Sequence, residues 1–199
     1  MPFLPKNYEA PKGSSNYLKL EEGQNKFRIV SDAVIGYEYW TNGNKPVRLR
    51  DYPKTKPADI RLNDDGSYTV KHFWAFIVLD RKDARVKILE ITQASIMRNI
   101  EDLVVNEEWG DPKEYDITIS RTGSGMETRY TVQPSPNKKL TKEEKSLVAR
   151  MEINLNALFK GENPFKVDNS KSSQSSQKMP LSGQIESPSD DVKLEDIPF

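Results

Sequence analysis

Between residues 45 and 61, six cationic side chains (Lys45, Arg48, Arg50, Lys54, Lys56 and Arg61) face two acids, Asp51 and Asp59, giving a local charge of +4. Aromatic rings surround this stretch. Tyr37, Tyr39 and Trp40 lead into it, Tyr52 lies in its middle, and Tyr68, Phe73, Trp74 and Phe76 follow. Cations at intervals follow a chain of phosphates, and flat rings offer faces on which unpaired bases stack at about 1–3 kcal/mol each. The pairing is the chemistry of binding a single-stranded nucleic acid without reading its sequence, since every base has a π-face. The ordinary alternative is a solvated basic loop beside rings that belong to a core.

Alternation places Tyr68, His72, Trp74 and Phe76 on one strand face and Phe73, Ala75, Ile77 and Leu79 on the other. The second set reads as core. His72 and Trp74 are therefore expected on the binding side, with Tyr37, Tyr39, Trp40 and Tyr52 bordering the basic loop. Arg121 and Arg129 flank the turn at Gly123, Ser124 and Gly125; they read either as phosphate contacts from an opposite rim or as outward strand residues.

Catalytic chemistry finds no constellation. His72 is the single histidine and falls in mid-strand, so a histidine-dependent triad has no natural seat. The acidic pairs Asp64 and Asp65, Glu107 and Glu108, and Asp190 and Asp191 sit in a turn, at a helix end and in the tail. The Gly123 turn lacks the following Gly, Lys and Ser or Thr of a phosphate-cradling loop, and no helix follows it. With no cysteine, disulfides, thiol nucleophiles and thiolate zinc sites are excluded. No enzyme and no cofactor is expected. There is no run of eighteen apolar residues and no charged-then-apolar leader, which points to a cytoplasmic protein.

The elements that would position these residues follow from periodicity. Residues 1–25 read as a Pro-rich arm that packs only partly, and 26–40 as one long strand bent near Asp32 or Gly36. Residues 41–66, with their prolines and Gly turns, read as a long excursion that brings nothing to the core. Residues 68–80 and 84–91 read as antiparallel strands. A helix then carries Ile96, Ile100, Leu103 and Val104 on one stripe, with Thr92 as N-cap and a stop at Gly110 and Pro112. Strands at 115–121 and 128–132 follow across the tight Gly123 turn. A last helix opens on the capping box of Thr141 and Glu144 and runs through Leu147, Val148, Met151, Leu155 and Leu158 to Gly161. Strand, long loop, two strands, helix and two strands is the order of an OB-fold, a five-stranded Greek-key barrel; the fold class expected is mainly β, with a generic α+β sandwich as the competing architecture.

Charge divides the chain. Formal net charge is zero, yet residues 167–199 hold six acids against three lysines, so the tail is −3 and the rest +3. Residues 167–189 are a Ser/Gln-rich linker, expected to be flexible. The last ten residues carry Asp190, Asp191, Glu195 and Asp196 ahead of Ile197, Pro198 and Phe199. A terminal ring with a free carboxylate fits an apolar pocket rimmed by cations, so this segment is expected to be read by a partner.

That tip resembles, at residues 196–199, the acidic tip of bacterial single-stranded DNA-binding proteins. The body adds HFWAF at 72–76, VKILEITQ at 86–93, WGDP at 109–112 and YDITI at 115–119. These stretches resemble the single-stranded DNA-binding proteins that tailed bacteriophages encode for their own replication, over most of residues 17–135. The resemblance implies an OB-fold at 26–166 that protects single-stranded DNA during replication, recombination and repair, and a tip that recruits polymerase, helicase or primase, and recombination enzymes. It also implies residence in the host cytoplasm. Zinc-containing phage relatives use cysteines, which this chain lacks, so no metal is expected. An RNA-binding OB module and an adaptor whose basic loop binds protein are the readings from other classes.

Overall fold

The computed structural model describes residues 15–165. The linker at 167–189, the tip at 190–199 and residues 1–14 of the arm lie outside the described residues. In chain order the elements are β1 (Gly23–Ile29), β2 (Val34–Trp40), β3 (Pro46–Leu49), β4 (Val70–Asp80), β5 (Arg85–Ile91), α1 (Ala94–Val105), β6 (Asp116–Thr122), β7 (Arg129–Pro134) and α2 (Lys142–Arg150). The protein is mainly β, with one antiparallel seven-stranded sheet in the order β3-β2-β4-β1-β6-β7 and β5 on β4. The sheet is open: among the described residues no ladder joins β5 to β7.

The strand expected over 26–40 is interrupted at residues 30–33, beside Asp32. Its halves β1 and β2 pair with opposite ends of β4, Ile29 with Val78 and Val34 with Ala75. At the break the Ile77 N–H donates to Ser31 Oγ at 2.9 Å, so a side chain stands in for the missing backbone acceptor.

Two cores flank β4. One lies between the sheet and α1, built on Phe27, Ile29, Phe76, Val78, Leu89, Ile91, Ile96, Ile100, Ile117 and Ile119. The other lies on the opposite face, where Phe73, Ala75 and Ile88 meet Leu155 and Leu158. This corrects the expected division of β4 into a core face and an open face: Phe76 is buried as fully as Phe73, because a helix covers one face and the C-terminal segment the other.

Other expectations shift for similarly local reasons. The excursion does reach the core, since Ile60 is buried and β3 adds a strand at the sheet edge, where Pro46 is tolerated. The α1 N-cap is Gln93, not Thr92, and the helix ends at Val105, with the Asn106 carbonyl accepting from the Trp109 and Gly110 N–H groups. Its last turn leaves the core, so Val104 is exposed. The capping box of Thr141 and Glu144 forms. That helix stops at Arg150, however, and the chain re-enters a 3-10 turn over Leu155–Lys160 that buries Leu155, Ala157 and Leu158. Arg81 ties α2 to the sheet by pairing with both Glu144 and Asp116, and Asp116 also holds the buried Arg28 at 2.8 Å. The Gly123 turn contains a 3-10 turn at Gly125–Glu127.

Close approach explains Gly36. A Cβ there would lie 2.3 Å from the Leu49 carbonyl oxygen of β3 and 2.8 Å from the Phe159 ring. Backbone atoms cannot yield as a side-chain tip can, so Gly36→Ala is expected to destabilise the fold by ~1–3 kcal/mol, the usual cost of overpacking. Denaturant unfolding checks it; an unchanged midpoint would show that β3 is not held as described.

Candidate nucleic-acid interface

Cross-strand pairing decides which rings share a surface. Ile35 and Tyr37 on β2 stand opposite Trp74 and His72 on β4, and directly opposed residues project on one face. Toward its C-terminal end that face is the α1 core. Toward residues 70–74 it is only partly covered among the described residues, with His72 exposed and Trp74 half-buried against the core. Tyr37 packs against His72 with ring centroids 5.2 Å apart, and Tyr52 meets Tyr37 edge-on at 5.4 Å. The Trp74 indole N–H donates to His72 Nε2 at 3.1 Å, which places the proton of a neutral His72 ring on Nδ1. The result is a row, Tyr52, Tyr37, His72 and Trp74, with the half-exposed Ile35 beside it. Beyond Trp74 the surface continues into an apolar groove of about 490 Å³ walled by Ile29, Phe76, Ile100 and Val104.

The cations divide between fold and solvent. Lys45, Lys54 and Lys56 are exposed, with Lys54 and Lys56 following Tyr52 in the chain and the Lys56 ammonium 5.9 Å from the Tyr68 ring centroid. Arg61 is exposed and donates to Asn44 Oδ1 at 2.9 Å. Arg48, in contrast, reaches over the Phe73 ring to Glu90, at 2.8 and 3.1 Å from its two carboxylate oxygens. Arg50 lies 4.5 Å from the Phe159 ring centroid and donates to Asn156. Arg48 and Arg50 thus fasten β3 and the residue after it to β5 and the C-terminal segment.

The remaining expected residues separate in the same way. Tyr39 is buried, its hydroxyl donating to Asp59. Trp40 is exposed but lies on the other face of β2, with Glu38. Arg121 shares the inward parity of Ile117 and Ile119 and donates to the Leu20 carbonyl at 3.0 Å. Arg129 is exposed. Ile35 and Lys71 were not singled out from the sequence, though alternation from Tyr37 and from Phe73 carried the signal. The tip residues Asp190, Asp191, Glu195, Asp196, Ile197, Pro198 and Phe199 lie outside the described residues.

A relative supplies an independent line. Over 157 residues the chain is 26% identical to a protein of Escherichia phage T5 named "Probable ssDNA-binding protein", covering 65% of this chain and 60% of that one. The chain is similar to a phage single-stranded DNA-binding protein. It spans about 60% of the length of that relative. The resemblance drawn from the strand and turn motifs points to the same kind of protein. No family model matches the chain, and no solved structure matches it. Among the described residues no helix is long and apolar enough to cross a membrane.

Behind the ring row, Glu38 carries the largest electrostatic anomaly. Its carboxyl is pushed up from 4.5 to about 7, first by burial and then by the hydrogen bond and charge of Glu90, against the opposing pull of Arg48 and Lys71. A folded value above the unfolded one means that the folded protein keeps a proton the unfolded chain has lost. The contribution to stability is therefore greatest below about 4.5 and disappears as pH climbs through about 7. Glu38→Gln keeps the shape without the titration. Between pH 5 and pH 8 the melting temperature of the native protein should fall relative to that of the variant; parallel profiles would show that Glu38 does not titrate there.

Proposed function

We propose that the protein binds single-stranded DNA with little sequence preference, laying bases on the Tyr52, Tyr37, His72 and Trp74 row while Lys54 and Lys56 follow the phosphates. The observation that carries this reading is the only partly covered end of the β2–β4 ladder. There rings lie in a line on a surface left partly open beside a cationic excursion. The similarity to the T5 protein supports the choice of DNA. Counting β1 and β2 as halves of one bent strand, the order strand, strand, strand, helix, strand, strand supports an OB-like barrel left open between β5 and β7, with β3 an addition inside the long first loop. Such a module binds through its second and third strands and the loops joining strands 1 to 2 and 4 to 5, here β4 and β5 with residues 41–67 and 122–125; the proposed ring row lies on β4, its neighbour β2 and the first of those loops. The module serves the protection of exposed strands in phage replication, recombination and repair.

Binding should favour single strands over duplex, since stacking requires unpaired bases, and RNA of equal length should compete less well. Tyr52→Ala is expected to weaken oligo(dT) binding by ~1–3 kcal/mol, the loss of one stacked base. Lys54→Ala with Lys56→Ala should lower the slope of log affinity against log salt by about 0.7 for each true phosphate contact, with folding intact. Tryptophan quenching in a salt titration measures both. Equal affinity for duplex, or a salt slope untouched by the lysine changes, would refute the assignment.

The acidic tip is assigned to partner proteins of the replication machinery, and its net −3 also competes with DNA for the basic body. Removing residues 190–199 should leave DNA affinity equal or tighter, most visibly at low salt where charges are least screened. Deleting Phe199 alone should abolish pulldown of those partners at nearly unchanged DNA affinity. Retained pulldown would reduce the tip to an electrostatic decoy.

A further inference from the structure

The face of the β2–β4 ladder turned away from the ring row holds a second, smaller hollow. Glu38 and Lys71 are register partners there. With Trp40, Arg61, Asn63 and Thr69 they wall a pocket of about 200 Å³. Glu38 is only 6% exposed; its carboxyl interacts with Glu90, but its Oε2 receives no N–H hydrogen bond. Arg48 Nη2 stands 3.1 Å from that oxygen, close enough for charge attraction, but donates instead to Glu90. An arriving N–H group would give that oxygen the donor it lacks.

The other walls specify what brings the donor. Trp40 is exposed and lines the pocket, while Lys71 and Arg61 are exposed cations that also line it. A carboxyl inside and cations outside exclude a phosphate from the pocket itself but favour one at its mouth. A ring, an inward acceptor and outer cations together match one nucleotide with its base turned in.

We infer that this pocket takes a single unpaired nucleobase of the bound strand, stacked on Trp40, with an N–H of its edge donated to Glu38 Oε2 and its phosphate held by Lys71 and Arg61. The inference rests on the proposed single-strand binding and extends it: the strand passes from the ring row around residues 70–72 to the second face. Residues 71 and 72 project on opposite faces of β4, so one step of the chain separates the two sites. A carboxylate oxygen accepting from a base amino group is an established mode of base contact.

The test uses the full chain labelled with ¹⁵N at its three tryptophans, the Trp40 indole signal being assigned from its loss in Trp40→Leu. On titration with oligo(dC), the Trp40 and Trp74 signals should move and saturate together. Trp109, packed edge-on against Tyr115, should stay. Lys71→Ala should weaken binding three- to tenfold and lower the salt slope by about 0.7. An abasic strand of the same length should leave the Trp40 signal in place. Saturation of Trp74 with Trp40 unmoved overturns the pocket and leaves single-strand binding standing. Movement of Trp40 with the abasic strand as large as with oligo(dC) also overturns it, since the ligand would then be phosphate. No binding of oligo(dC) at all removes the functional reading on which the pocket depends.

Discussion

Everything in this fold is tied to β4. It is paired along both edges, with β1 and β2 on one side and β5 on the other. It is also buried on both faces over its C-terminal half, by α1 and by the C-terminal segment. A strand enclosed in this way cannot shift register by one residue without exchanging two packed faces, so its position is over-determined. Its N-terminal end, residues 70–73, pairs with β2 alone and has only partial cover. Around His72 the β2 ladder holds one edge of the strand and, among the described residues, the surface is only partly covered, which suits a binding platform: side chains held in place before a ligand arrives.

That constraint explains why the break in the β1–β2 strand matters. A continuous strand would carry the twist of the first half into the second. The interruption at 30–33 lets β1 turn its far edge to β6 while β2 turns its far edge to β3. β3 in turn brings the basic excursion back against the sheet, and Gly36 allows that approach. The ion pairs of Arg48 and the stacking of Arg50 then hold the excursion's base, so that Tyr52 comes to rest on Tyr37. The cations nearest the sheet act as fasteners. Those farther along the loop, Lys54 and Lys56, keep their charge in solvent.

This division marks how far the sequence could be read. The alternation of Tyr115, Ile117 and Ile119 and the capping box at Thr141 were legible because each depends on neighbours within a few residues, whereas the bend expected near Asp32 or Gly36 is a full break at 30–33, held by Ser31 against Ile77. The double burial of β4 was not legible, because an apolar run covered on both sides shows no alternation from which to choose a face. The break after Arg150 was hidden for a related reason. Leu155 and Leu158 continue the helical spacing, but they pack on Phe73, Ala75 and Ile88 instead of lying along α2. Charge count found the basic loop, yet it could not separate Arg48 from Lys54. The difference lies in Glu90, 42 residues away in the chain.

The placement of charge on the two faces bears on how the proposed surface would tolerate any base sequence. On the ring row the Trp74 N–H is taken by His72, so the indole offers its π-surface more than a donor. On the reverse face Glu38 has an oxygen that receives no N–H hydrogen bond, at a pocket of about 200 Å³. A strand crossing from one to the other would meet several stacking positions that ignore base identity and one that does not. Because only one nucleotide in a bound stretch need occupy the second kind of site, the strand can slide by a base or two to satisfy it. Broad tolerance along the row and a single discriminating contact beyond it are then compatible in one binding surface.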